Sequence, residues 1–245
     1  MADDNRPLQY ARYAIGEIVL VVIGILIALQ INSWSGERKA RKIEIELIRS
    51  LITDLEVDVI NLEEIIESNT TRTNGLDSLS AIGLQDLNDS ANVAMVYSLT
   101  RLYLLNNDPF FNNDRTLAKL KNSDNVGILN KAVADSILMW DARMRHIAGQ
   151  TEAYLLYFRT VRPIAFKTMP IHYLSDTSYY RNRQLTGKPL PPLVDDRQVQ
   201  MEFFNNVLMA NGVTKNYLSP VFLGSQIERT ENFIAYLEET YALEE

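Results

Sequence analysis

The chain has 245 residues and a mass of 28.0 kDa, with 24 basic and 31 acidic side chains and a pI of about 5.0. That balance excludes the basic face a general nucleic-acid binder needs, so nucleic acid is not an expected partner. The absence of cysteine excludes disulfides, thiolate metal sites and cysteine nucleophiles, and two histidines, His146 and His172, exclude any three-imidazole site.

Ten Gly and eight Pro make up about 7% of the chain against a usual ~12%, which favours long helices over many strands. Residues 1–12 form a short tail with Asp3 and Asp4. From Ala14 to Leu29 the sequence AIGEIVLVVIGILIAL carries one charge, Glu17, and no Pro. Bounded at Tyr13 and Trp34, residues 13–34 reach about 33 Å as a helix, enough for a hydrocarbon core of ~30 Å. Tyr10, Tyr13 and Trp34 are the expected interface anchors. The apolar run is too long for a signal-peptide core and no small-x-small site follows it. A helix apolar on every face is either buried in the core of a large protein or a membrane span, and at this size the span is the reading preferred. The expectation is a single transmembrane helix, with the lipid bilayer as its first partner.

Within that helix Gly24 and Ala28 form a small-xxx-small pair that admits a second helix. Glu17 lies about one turn from Tyr13, where it either reaches the headgroups or pairs with a neighbour. Glu17, Gly24 and Ala28 are therefore the candidate association residues, with a second copy or a partner membrane protein beside them. The run Tyr13–Asn32, YAIGEIVLVVIGILIALQIN, followed by Trp34, resembles the opening of a family of uncharacterised single-span membrane proteins of Bacteroidetes bacteria. The rest of the chain resembles that family loosely, in helical layout and over residues 116–129. The resemblance implies no activity. It does imply a basic leader on the inside and a domain outside.

Local charge points the other way: Arg6 and Arg12 precede the span, whereas Arg38, Lys39, Arg41 and Lys42 follow it. Residues 43–245 carry 18 basic and 27 acidic residues, which does not forbid export, since long domains cross largely regardless of charge. With no Cys, 20 Asn and only eight Lys, the expectation is a periplasmic domain on a single-pass protein of the cytoplasmic membrane.

Residues 35–245 are expected to form an elongated all-α bundle. From Glu37 to Asn69 no Pro or Gly occurs, and Ile45, Ile48, Ile52, Leu55, Val59, Leu62 and Ile66 alternate in steps of three and four. β-branched residues at a and Leu at d suit a parallel coiled coil. The extra apolar positions Leu47, Leu51, Val57, Ile60 and Ile65 instead suit a helix covered on several sides, which makes the intrachain bundle the expectation. Residues 69–75 (NTTRTNG) read as a turn and 76–87 as a short helix. Asp89 or Ser90 caps the next helix, which ends at Asn106 to Pro109, and Asp114 caps a short one. The second long helix spans 128–161, with Pro163 as its stop. Residues 163–195 hold five of the eight Pro and read as an irregular strap or binding mouth. A helix over 198–211 closes at Gly212, and Ser219 with Pro220 starts the last.

No phosphate loop, dinucleotide fingerprint, nucleophile elbow or zinc-helix motif is present. Neither His146 nor His172 has the Glu three residues before it that helical di-iron sites use. Asp54, Glu56, Asp58 and Glu63, Glu64, Glu67 are expected as a solvated face. Trp140, Tyr154, Tyr157 and Phe158 are expected in the core. The functional expectation is a membrane-anchored interaction or scaffold protein, without enzymatic activity or cofactor. The alternative is an extracytoplasmic sensor or small-ligand module whose mouth is Tyr173, Tyr179, Tyr180 and Arg181.

Overall fold

The computed structural model describes residues 6–122, 127–170, 173–174 and 190–243. Among them there is no strand, and 83% of these described residues are helical. Six α-helices follow one another: α1 (Arg6–Ser80), α2 (Ser90–Leu99), α3 (Arg115–Asn122), α4 (Lys131–Thr168), α5 (Arg197–Tyr217) and α6 (Gln226–Tyr241). A 3-10 turn, Leu84–Asn88, precedes α2, and a π-helical turn, Thr100–Leu104, extends it.

α1 runs unbroken for 75 residues, about 110 Å. It passes straight through Gly36 and through 69–75, where the sequence reads as a turn. The turn-forming residues spend their polar groups on the helix itself and on neighbouring elements. The Thr70 hydroxyl donates to the Ile66 carbonyl and the Ser78 hydroxyl to that of Asn74. The Asn69 amide donates to the carbonyls of Ile65 and Asp108 at 2.9 and 2.8 Å. Gly75 is not a breaker either: a Cβ there would overlap the ring of Tyr103. Close approach of the π-helical turn, not chain reversal, requires this glycine.

The heptad register of α1 also differs from the sequence reading. The residues on the buried line are Glu44, Ile48, Leu51, Leu55, Asp58, Leu62, Asn69, Arg72, Leu76 and Leu79, with Ile65 half-buried between Leu62 and Asn69. These positions alternate in steps of four and three along the whole helix. Three of the seven proposed register positions, Ile45, Val59 and Ile66, lie one residue to the side and are only half-buried. At two of them the chain instead buries a polar neighbour that has partners elsewhere, Glu44 beside Ile45 and Asp58 beside Val59. The seam packs within the chain, as the bundle reading expects.

Side-chain pairs set the topology. Asn130, which caps α4 through the Ala132 N–H, lies beside Glu44, and Tyr154 lies beside Asn69 and Arg72, so α4 runs parallel to α1. Between them the chain descends: Tyr103 lies at the level of Arg72, Asp108 at Asn69, Asn113 at Asp58 and Thr116 at Asp54. After α4 the chain descends again through α5 and α6. Asn211 contacts Asp77, Tyr217 contacts Thr151, Gln226 contacts Arg143, and Tyr241 reaches Glu44. The result is an up-down-up-down four-layer bundle whose two descending limbs are broken helices. Val96, Tyr97, Leu120, Val133, Phe158, Phe203 and Leu237 are among the fully buried residues of a single core.

Three helix ends move from their expected places. Pro163 lies inside α4, on its exposed outer face, while Val161 and Ala165 carry the buried stripe past it. The carbonyl that loses its N–H partner to the proline therefore faces water. α5 continues through Gly212 because Asn211, Thr214 and Tyr217 extend its buried side. Pro220 sits in a turn, not at N1 of the last helix. Leu223 donates to the Tyr217 carbonyl and Gly224 to that of Ser219, which delays α6 to Gln226.

Candidate functional sites along the long helix

One helix among the described residues, α1, is long and apolar enough to cross a membrane, and none of its apolar stretch is buried by the described residues. Glu17, Gly24, Ala28 and Trp34 are all exposed, and Arg38 places its guanidinium 5.1 Å from the Trp34 ring centre. Tyr10 and Tyr13 fall within α1, with side chains outside the described ones. The chain is thus compatible with a single-pass membrane protein.

About 15 Å beyond Trp34 the bundle begins, at Glu44. This carboxylate is 5% exposed and collects three donors from three elements. Arg41 reaches it at 2.8 Å, the Tyr241 hydroxyl of α6 at 2.5 Å and the Asn130 N–H at 3.2 Å. Burial alone would raise the Glu44 carboxyl, but the bonds from Tyr241 and Arg41 hold it below the usual range. Arg41 also stacks 4.7 Å over the Tyr241 ring. One side chain thus fastens α1, just beyond its apolar stretch, to the bottom of both α4 and α6.

Three to four turns higher, Asp54 and Asp58 contradict the expectation of a solvated face. They are 4% and 2% exposed, whereas Glu56, Glu63, Glu64 and Glu67 are exposed. Asp54 accepts from the Thr116 N–H at 2.9 Å, from the Asn113 amide at 2.9 Å and from Arg115 at 3.2 Å. Asp114 occupies the position before α3, but the carboxylate that takes an N–H of its first turn belongs to α1. Asp58 accepts one bond, from the Asn113 N–H at 2.7 Å. Burial, with the nearby charges of Asp54 and Asp114, pushes its carboxyl up to about 7. The two aspartates clamp residues 113–116 onto α1. No group of three or more acidic or histidine residues suited to a metal occurs among the described residues.

At the top of α1, Arg72 is 3% exposed and bonds the Tyr103 carbonyl at 2.8 Å and the Tyr154 hydroxyl at 2.7 Å. The Phe158 ring lies 4.0 Å from its guanidinium carbon. The Tyr154 hydroxyl donates to the Asn69 Oδ1 at 2.7 Å, and burial raises this phenol to about 12. Trp140, Tyr154 and Phe158 are core residues as expected, with Tyr157 partly buried. Sequence reasoning missed Glu44, Asn69 and Arg72 entirely. Their signal was positional: each is a polar residue on the four-three line of the core.

A model of a family of unknown function (DUF6090) matches residues 17–135. That stretch runs from within the apolar segment of α1, past both aspartates and Arg72, to the first turn of α4. No curated protein and no solved structure matches the chain. Of the four residues expected to form a binding mouth, Tyr179, Tyr180 and Arg181 lie outside the described residues, and Tyr173 packs edge-on to Tyr97.

Proposed function

We propose that this chain is a membrane-anchored helical interaction protein, without enzymatic activity, whose span binds a second copy or a partner span. One observation supports it above others. At 100° per residue, Glu17, Gly24 and Ala28 lie about 160–180° around α1 from Glu44, on the side away from the bundle. A heptad carried back from Ile45 would place Glu17 and Gly24 near the seam, but a straight helix drifts by ~20° per heptad. The small-residue face is therefore clear of the chain's own domain. Ile60, about 160° from Glu44 on the same count, is 55% exposed and continues this face along the bundle. A helix approaching at Gly24 would reach Glu17, where a hydrogen bond in lipid contributes about 0.6–2 kcal/mol.

Gly24→Leu is expected to weaken association of the detergent-solubilised protein by about that amount, read from cross-linking or from a fluorescence transfer titration. Ile23→Leu, on the bundle side, is the control. Equal effects from both, or a monomer without a partner span, would leave a plain anchor.

The opening motif and the basic leader it implies support a place in the Bacteroidetes family and a domain outside the cytoplasmic membrane. A reporter fused after Glu245 is expected to be active only on the outer side of that membrane. Activity confined to the cytoplasm would reverse the orientation.

A further inference from the structure

Between Trp34 and the start of the bundle, α1 carries four cations in five residues, Arg38, Lys39, Arg41 and Lys42, and they divide by where they lie. Arg41 turns to the bundle, onto Glu44 and the Tyr241 ring. The other three are exposed. At 100° per residue they occupy an arc of about 100° whose middle lies about 170° from Glu44, on the open side of the helix. Glu37, the one carboxylate between Trp34 and Glu44, lies about 20° from Glu44 on the same count, so it belongs to the bundle side. Arg38 and Lys39 have no carboxylate within ion-pair distance among the described residues, and Lys42 has Glu46 at 3.9 Å, both side chains well exposed. The Arg38 guanidinium instead lies 5.1 Å over the ring of Trp34, the expected interface anchor.

We propose that Arg38, Lys39 and Lys42 bind the phosphodiester headgroups of anionic phospholipids at the end of the span. The inference rests on the membrane-anchored reading and names the surface that the anchor meets. Depth selects the occupant. Because α1 is continuous here, Arg38 and Lys39 stand about 6 and 7.5 Å beyond Trp34 along the axis, and Lys42 about 12 Å. The headgroup layer on each side of the hydrocarbon core is about 5–7 Å deep. Arg38 and Lys39 therefore stand at the level of the lipid phosphates, and the long stem of Lys42 lets its ammonium reach back to them. Glu46, the nearest carboxylate on that side, stands about 18 Å out, beyond the headgroups. A zwitterionic headgroup brings its own cation to an arc that already holds three. An anionic one brings net charge of the opposite sign.

The fluorescence of Trp34 tests the proposal. The full chain is placed in phosphatidylcholine bilayers, and a rising fraction of the lipid is exchanged for phosphatidylcholine or phosphatidylglycerol with brominated acyl chains. Bromine quenches indole only near contact, and Trp140, the other tryptophan, lies about 30 Å farther out, stacked on Phe233. Brominated phosphatidylglycerol is expected to associate about threefold or more tightly than brominated phosphatidylcholine, since one basic charge at an anionic surface contributes up to about fivefold. Arg38→Gln/Lys39→Gln is expected to bring the two lipids close to equality. Arg41→Gln, which removes a charge from the bundle side, is expected to keep most of the preference. Equal quenching by the two lipids would overturn the proposal and leave the anchor in place. So would an unchanged preference in the double variant, or a loss in Arg41→Gln as large as in Arg38→Gln alone. Reversal by inorganic phosphate at constant ionic strength would also overturn it and assign the cations to a soluble anion. No quenching by either lipid would overturn the membrane reading along with it.

Discussion

Gly75→Ala is expected to destabilise the folded protein by about 1–3 kcal/mol, the reverse of what helix propensity dictates. Inside an exposed helix the same change stabilises by about 1 kcal/mol, because Gly loses more backbone entropy on folding. At position 75 the added methyl would overlap the ring of Tyr103, which is partly buried and held by its neighbours. Forcing a methyl into a packed contact costs about 1–3 kcal/mol. Moving Tyr103 also strains the bond its carbonyl accepts from Arg72. Urea denaturation of the full chain reads the loss as a lower midpoint. Tyr103→Leu in the same chain is expected to restore most of it. Gly212→Ala is the matched control, a helical glycine whose Cβ would meet nothing within 4 Å, and it is expected to raise the midpoint. A neutral or stabilising Gly75→Ala would mean that the π-helical turn does not press on α1.

The same glycine shows where sequence was legible and where it was not. The apolar span and the helical class follow from local pattern, because a continuous apolar run and a spacing of three and four are written in neighbouring residues. Asn69, Thr70, Thr73 and Gly75 also carry a local signal, and it points to a turn. It is overridden because Thr70 and Thr73 bond back to carbonyls within α1, while Asn69 and Gly75 meet Asp108 and Tyr103, which come from more than 25 residues away. Pro163 and Gly212 were read by the same local rule. They stay helical because the side they weaken faces solvent while buried neighbours hold the other. The polar sites were the least legible. Glu44 needs Asn130 and Tyr241, and Asp54 needs Thr116, so no window of sequence contains both halves. Their register was available, since Glu44, Asp58, Asn69 and Arg72 all fall on one four-three line. Ranking positions by apolarity set Glu44 and Asp58 aside in favour of Ile45 and Val59 next to them, and a register that stops at Ile66 does not reach Asn69 and Arg72.

Asp58→Asn is expected to stabilise the protein by about 2–4 kcal/mol at pH 8 and to change little near pH 4. The Asp58 carboxyl is buried with one hydrogen bond and two acidic neighbours, which pushes it up to about 7 in the folded protein. An unfolded aspartate titrates near about 3.9. Between those values the folded state holds a proton that the unfolded state releases. Stability therefore falls as pH rises through this window and levels off above it. Three units at 1.36 kcal/mol each set the ceiling of about 4 kcal/mol. An amide keeps the acceptor for the Asn113 N–H and carries no charge to bury. Asp54→Asn has the opposite sign. Burial would raise that carboxyl, yet the bonds from Thr116 and the charge of Arg115 hold it below the usual range. Its contribution is present above about pH 4 and is lost as pH falls through its lowered folded value, so the substitution costs about 1–3 kcal/mol at neutral pH. Urea midpoints at pH 4.5, 6 and 8 separate the two. A shift for Asp58→Asn that is the same at every pH would show that its carboxyl stays ionised in the fold. Because both aspartates grip residues 113–116, the double variant should depart from additivity. Ionising Asp58 weakens, and ionising Asp54 strengthens, the same attachment of α3 to α1.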